Sequence, residues 1–360
     1  MKKWNKRAVL LSILMSSLVL SACSNNNNNQ NNLEIGNKDE DLTSNQEWDK
    51  VFPASDAVNH RKITFQNRYG ITLVADLYEP IDADGKLPAI AVSGPFGAVK
   101  EQVSGLYAQT MAENGFITIA FDPSYTGESG GTPRYVASPD INTEDFQAAV
   151  DFLSMQENVD PDRIGLIGIC GWGGMALNAA AIDTRVKATV SATMYDMSRV
   201  NAQGYFDEMN EDERYEIKER LNAQRILDFE NKEYERAGGV IDPLPDDVPN
   251  FVKDYHDYYK TERGYHVRSL NSNEGWNTTS ALSFINMPIL TYINEIRHAV
   301  LLVHGAQAHS IYFSEDVFNE LEGDNKEFEI IPDASHIDLY DRSEIIPFDR
   351  MVTFFEEYLK

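Results

Sequence analysis

The segment Arg163-Ile164-Gly165-Leu166-Ile167-Gly168-Ile169-Cys170-Gly171-Trp172-Gly173-Gly174-Met175-Ala176 constrains the fold more than any other part of this 360-residue chain. An apolar strand runs straight into a glycine-rich turn and then a small-residue helix. Such a turn holds one side chain in a strained backbone conformation at the edge of a sheet, and flanking glycines remove the clashes it would otherwise create. Cys170 stands at its apex. The helix that follows aims its N-terminal amides and dipole at that position, which favours a thiolate and offers N–H donors to a developing oxyanion.

Around this segment, short β-rich runs alternate with helical patterns. Lys62 to Gln66 and Thr72 to Tyr78 read as a hairpin pair. Ala89 to Val92, Ile117 to Phe121, Ile164 to Ile169 and Val186 to Thr193 are near-continuously apolar, as strands buried on both faces must be. Helices are expected over Lys100 to Asn114, over Thr143 to Gln156 with Asn142 or Thr143 as cap, and over Gly173 to Ile182. Ala299 to His304 and Glu327 to Ile331 supply two late strands, and Phe348 to Tyr358 a closing helix. The pattern implies an α/β fold, a doubly wound and mostly parallel sheet. The interval 199–297 is too long for a connection, and its helical stretches, Glu211 to Asn231 and Pro249 to Thr261, read as a cap over the carboxyl edge of the sheet. The core is then expected in two parts, 50–198 and 298–360. Tyr205, Phe206, Tyr255, Tyr258, Tyr259 and Trp276 in the insertion either line a pocket or pack the cap itself.

The order Gly-x-Cys followed by Gly173-Gly174 resembles the dienelactone hydrolase branch of the α/β-hydrolase family, over roughly Lys62 to Lys360. Trp172 departs from it by standing where the common turn has its second glycine. The resemblance implies an α/β-hydrolase fold, cleavage of esters or lactones through a cysteine or serine nucleophile, a histidine base in the last strand-helix loop, and a backbone oxyanion hole. Carried onto this chain, the nucleophile is Cys170 and the base His336, in Ile331-Pro332-Asp333-Ala334-Ser335-His336-Ile337-Asp338. The pair is expected to rest as thiolate and imidazolium. The acid is less plain: the His-Gly-x-x-Asp pattern ends here in Ala308, after His304-Gly305-Ala306-Gln307. Asp196, just past the preceding strand, is the substitute, with Glu315, Asp316 and Asp338 as rivals. Oxyanion donors are expected at the amides of Gly171 and Phe96, since Pro95 has none. A glutamate that the family often poises on the thiol falls at Gly94 and is missing. Lys100-Glu101-Gln102 reads as the first turn of a surface helix, and Asp122 to Gly131, with Glu128, as turn chemistry bordering the site. His304 and His309 lack the companions zinc needs, so neither metal nor cofactor is expected. Acyl transfer, amide hydrolysis and non-catalytic binding on the same fold remain alternatives.

The N-terminus addresses location. Lys2, Lys3, Lys6 and Arg7 precede an apolar run, Ala8 to Leu20, too short to span a bilayer. Leu20-Ser21-Ala22-Cys23 resembles the bacterial lipobox, so residues 1–22 are expected to be a lipoprotein signal peptide, with Cys23 the lipid-bearing first residue of the mature chain. Residues 23–49, opening on an Asn/Gln run, read as a disordered tether. The expected location is the cell membrane, lipid-anchored on its extracytoplasmic face. The formal charge of −26 deepens by four once the basic signal is removed. Nucleic acid is excluded as a partner on that ground, and attachment to the membrane rests on the lipid alone. The chain has two cysteines. With the first committed to lipid no disulfide framework is available, and Cys170 remains a lone thiol.

Overall fold

The computed structural model of the protein describes residues 48–82 and 84–360. The expected signal peptide, the Cys23 attachment point and all but the last two residues of the expected tether lie outside them. Eight strands form one sheet: β1 (Val58–Gln66), β2 (Thr72–Pro80), β3 (Leu87–Ser93), β4 (Ile117–Phe121), β5 (Val159–Ile169), β6 (Val186–Ala192), β7 (Ala299–Gly305) and β8 (Lys326–Ile331), in the order β1-β2-β4-β3-β5-β6-β7-β8. The β1–β2 and β2–β4 pairs are antiparallel, and every pair from β4 to β8 is parallel.

The apolar strands are covered on both faces, as their composition requires. In β3, Ala89 and Ala91 pack with Phe146, Val150 and Leu153 of α2 (Pro139–Ser154), on one side of the sheet. Ile90 and Val92 point the other way, into a core shared with Tyr107 and Met111 of α1 (Val103–Glu113) and Phe354 and Phe355 of α10 (Phe348–Tyr358). This alternation with period two, apolar on both sides, makes the fold doubly wound. Between β5 and β6 runs α3 (Gly171–Ile182). The long interval between β6 and β7 holds α4 (Met197–Gln203), α5 (Glu211–Asn231), α6 (Asn250–Tyr259) and α7 (Ala281–Asn286). Two more helices, α8 (Ile311–Glu320) and α9 (Asp338–Asp341), follow β7 and β8.

Two helix starts differ from expectation by three residues or more. Helix α1 begins at Val103 rather than Lys100, because Lys100, Glu101 and Gln102 are fully buried in a turn ahead of it. The Lys100 ammonium lies 2.5 Å from Glu101, 3.0 Å from Asp122 and 2.5 Å from Glu128. Burial works against its charge, yet these carboxylates and Asp76 raise its pKa. Glu128 therefore holds an ion cluster together, where turn chemistry alone was expected. Helix α2 begins at Pro139 with Ser138 as its cap. Asn142, expected to cap it, is buried and hydrogen-bonds Ser138 and Asp145.

Candidate active site

Cys170 has φ 57° and ψ −127°, a positive φ that side chains other than glycine rarely adopt. The turn survives because the chain around it is tied on three sides. The Cys170 amide donates to the Ala192 carbonyl at 3.0 Å, and its carbonyl accepts from the amides of Gly173 and Tyr195, each at 2.9 Å. Glycine is a steric requirement at two places. A Cβ on Gly168 would lie 2.1 Å from the Trp172 carbonyl oxygen, and one on Gly173 would lie 2.6 Å from Met194 and Ser191. The displaced glycine pair thus lets the exit of β6 pass close over α3, which brings Tyr195 beside the apex. Trp172 fills the other face of α3, fully buried with its ring edge-on to Phe121 and Phe146.

The amides of Gly171 and Phe96 and, from the opposite element, the Tyr340 hydroxyl all face the Cys170 sulfur and favour its ionised form. The amides are the two backbone donors expected from sequence, now converging on one atom. The Phe96 peptide is itself held, since its carbonyl accepts from Asn271 Nδ2 at 2.8 Å and the Gly97 carbonyl accepts from the Asn271 amide at 3.1 Å and Ser269 Oγ at 3.0 Å.

His336 is 2 % exposed and Cys170 7 %. His336 Nε2 lies 3.2 Å from Tyr340 Oη, so the hydrogen bonds that join imidazole and sulfur run through the tyrosine hydroxyl. Tyr195, Tyr255 and His309 surround the ring, with centroids 5.1, 5.6 and 5.6 Å from it. The Tyr195 hydroxyl bonds His309 Nε2 and lies 3.1 Å from that of Tyr255. Of the insertion's aromatic residues, Tyr205, Tyr255 and Tyr259 come within electrostatic reach of Cys170. Tyr258 instead packs edge-on against Tyr340 and Tyr259, and Trp276 against Phe96. Phe206 is half exposed, beside Tyr312.

Enclosure sets the charge state. Burial pushes the Cys170 thiol up, against the pull of Tyr340 and the two amides. It drives the His336 imidazole well below its ordinary value, with His309 and His304 adding in the same direction. A thiolate-imidazolium pair at rest is expected from the sequence; both shifts run against it, because a site this dry penalises charge on either group.

The acid is a second correction. Asp196 caps α4, its carboxylate accepting from the amides of Ser198 and Arg199 at 2.9 Å each and from Ser198 Oγ at 2.5 Å. Of the rivals, Asp316 pairs with Arg199, Asp338 with Ser335 and Arg342, and Glu315 is exposed. His336 Nδ1 meets hydroxyls instead, Ser310 Oγ at 2.6 Å and Thr193 Oγ1 at 2.9 Å. His304 continues the line, its Nε2 lying 2.9 Å from Ser310 Oγ and its Nδ1 2.7 Å from Ser314 Oγ. Thr193, Ser310 and Tyr340 went unnoticed in the sequence, where His304 enters only as part of the broken His-Gly-x-x-Asp pattern and as a dismissed zinc ligand. A signal existed for Tyr340, four residues after His336, and for Ser310, two residues past the alanine that replaces the family's aspartate.

Comparison with known proteins agrees with this architecture. Residues 69–337 match the model of the X-Pro dipeptidyl-peptidase (S15) family. The chain is 56% identical over 356 residues, 98% of its length and 94% of the relative's, to the uncharacterized protein PA2218 of Pseudomonas aeruginosa. The crystal structure of that protein superposes with a TM-score of 0.86 at 58% identity, over 89% of this chain and 100% of the other. YcjY of Escherichia coli, also uncharacterized, is 33% identical over 310 residues, 83% of this chain and 99% of the relative. The α/β hydrolase GrgF of a Penicillium species shares the fold at 20% identity, with a TM-score of 0.68 over 84% of this chain and 99% of that one. The chain is a hydrolase with the α/β-hydrolase fold, and it belongs to the X-Pro dipeptidyl-peptidase (S15) family.

Proposed function

We propose that the protein cleaves small carboxylic esters or lactones at the cell envelope, through an acyl-cysteine intermediate on Cys170. The observation that carries this reading is the convergence of the Gly171 and Phe96 amides on the Cys170 sulfur. Once that sulfur has attacked a carbonyl carbon, the oxyanion forms on the oxygen of that carbon, two bonds from the donors' present target, where they gain strength as charge develops. The resemblance of the Gly-x-Cys-Gly turn to dienelactone hydrolases suggests ester and lactone carbonyls. Because burial disfavours charge on thiol and imidazole alike, the proton leaves sulfur as the carbon–sulfur bond forms. His336 takes it by way of Tyr340, then returns it to the departing alkoxide. Water, activated by the same imidazole, releases the acid and restores the thiol. The enclosing groups are hydroxyls, aromatic rings and neutral imidazoles, which suits an uncharged acyl group. Lipid on Cys23 would tether this activity to the outer face of the membrane.

The family description favours a second reading, the same chemistry on the amide bond of an X-Pro peptide. Intact mass separates the two. After brief exposure to p-nitrophenyl butyrate, the Cys23→Ser chain should carry a butyryl group on Cys170 that decays with time, and Cys170→Ala should carry none. Faster release of p-nitroaniline from an X-Pro anilide than of p-nitrophenol from the ester would favour the peptidase reading. An unmodified thiol with both substrates would exclude the cysteine mechanism. Palmitate labelling of the native chain, lost in Cys23→Ser, tests the anchor.

A further inference from the structure

Among the described residues His336 has no carboxylate partner, yet a base that receives a proton on Nε2 must carry its own proton on Nδ1, and something must hold it there. The buried groups behind Nδ1 do so. Two hydroxyl oxygens lie at this one nitrogen, Ser310 Oγ at 2.6 Å and Thr193 Oγ1 at 2.9 Å. A bare Nδ1 lone pair can accept from one hydroxyl only, leaving the other in contact without a proton between, whereas Nδ1–H can be shared by both oxygens. Each hydroxyl has an onward acceptor. Thr193 reaches the His336 carbonyl at 3.4 Å, and Ser310 reaches His304 Nε2 at 2.9 Å. With Nε2 accepting, the His304 ring proton sits on Nδ1, which lies 2.7 Å from Ser314 Oγ. His304, Ser310, Ser314, Thr193 and His336 are all buried. Water is thus poorly placed to substitute.

We infer that His304, acting through Ser310, is a positioning residue that sets the tautomer of His336 and takes the place of the missing acid. The inference rests on the proposed role of Cys170 and His336. As sulfur bonds the acyl carbon, the thiol proton passes to Tyr340 Oη and the Tyr340 proton to His336 Nε2. The imidazolium keeps Nδ1–H on Ser310, Ser310 keeps its proton on His304 Nε2, and no net charge moves down the line. When the leaving group departs, the same proton returns along Nε2. His304 stays neutral throughout, as its burial demands, for its pKa is lowered to about 3. It contributes a lone pair rather than a negative charge.

The test compares His304→Gln, whose amide oxygen can still accept from Ser310, with His304→Met, of similar volume and without that acceptor. Single-turnover acylation by p-nitrophenyl butyrate and steady-state kcat and KM are read together, with the ring-nitrogen shifts of His336 followed by NMR. His304→Met and Ser310→Ala should lower the acylation rate and kcat about ten- to hundredfold, less than the loss in a serine triad with its acid neutralised. KM should stay within about twofold, while the His336 proton moves toward Nε2. His304→Gln should recover most of the rate. Equal rates in His304→Met and the native chain, or a His336 tautomer that does not respond, would overturn the inference. Ser310→Ala removes one oxygen only and provides the same readout should His304→Met fail to fold. A native chain that acylates no thiol at all refutes the mechanism and the inference with it, whereas native acylation with an unaffected His304→Met refutes the inference alone.

Discussion

Replacing Tyr340 with phenylalanine isolates one of the three donors that face the Cys170 sulfur. The ring volume is retained, so the dry surroundings that raise the thiol's pKa persist, and the Gly171 and Phe96 amides remain. A hydrogen bond to a charged acceptor contributes about 1.5–3 kcal/mol, and about 1.4 kcal/mol corresponds to one pH unit. The thiolate should therefore become harder to form by about one to two units. The native thiol already titrates above an ordinary one, near 8.5, so alkylation of the Cys23→Ser chain by iodoacetamide should reach half its plateau rate only in alkaline solution. In the Tyr340→Phe background the midpoint moves further up. Intact mass against time at each pH gives the rates, and Cys170→Ala provides the blank. A midpoint that stays or falls would refute the reasoning. It would mean that His336 takes the thiol proton directly once the hydroxyl is gone, or that phenylalanine admits water.

Asp196→Ala should destabilise the protein by about 0.5–2 kcal/mol through loss of the α4 cap, and urea titration should show this while kcat stays within about threefold. Lys100→Met leaves Asp122 buried without its cation and Glu101 with Arg268 alone, and should cost about 3–5 kcal/mol in the same titration; a loss under about 1 kcal/mol would contradict the burial of that cluster. Asn271→Ala frees the Phe96 carbonyl and should lower kcat about tenfold with little change in KM, a fraction of the effect of removing an oxyanion donor outright.

The strands of the sheet were legible because burial on both faces writes itself into sequence as uninterrupted apolar runs, and β3 to β6 fall where Ala89, Ile117, Ile164 and Val186 announce them. Helix α5 was legible at both ends, Glu211 and Asn231, since the Asn210 capping box is local chemistry. The elbow at Cys170 followed from one glycine-rich turn. What escaped notice depends on elements far apart in the chain. Ser310 and Thr193 are separated by more than a hundred residues and meet only because β6 and β7 are neighbours. The penalty on charge at the pair escaped for the same reason: the helix terminus at Cys170 is visible in sequence, but the tyrosines from the insertion that help bury the pair are not. Lys100 read as surface because lysine usually is, and its three carboxylates come from two separate loops.

Charge and neutrality are divided within a short stretch of this molecule. The strand β3 ends at Ser93, the Phe96 amide follows, and four residues later Lys100 enters a cluster of carboxylates in which Glu101 and Asp122 are fully buried and Glu128 is partly exposed. A loop that must keep an N–H aimed at one point benefits from ties that do not exchange with solvent. Lys100 supplies them on one flank, through its ammonium and through its own amide, which donates to Asp122 at 2.9 Å. Asn271 supplies them on the other flank. A net-charged site would couple to that cluster at the low effective dielectric of the interior, and the titration of either would disturb the other. Burial that disfavours charge on both Cys170 and His336 limits such coupling, so the ion cluster can hold the loop with little bias on the pair. The insertion that encloses Cys170 and supplies Asn271 therefore serves both ends of the proposed mechanism: its tyrosines help bury the pair, and Asn271 holds the Phe96 peptide whose amide is the proposed oxyanion donor.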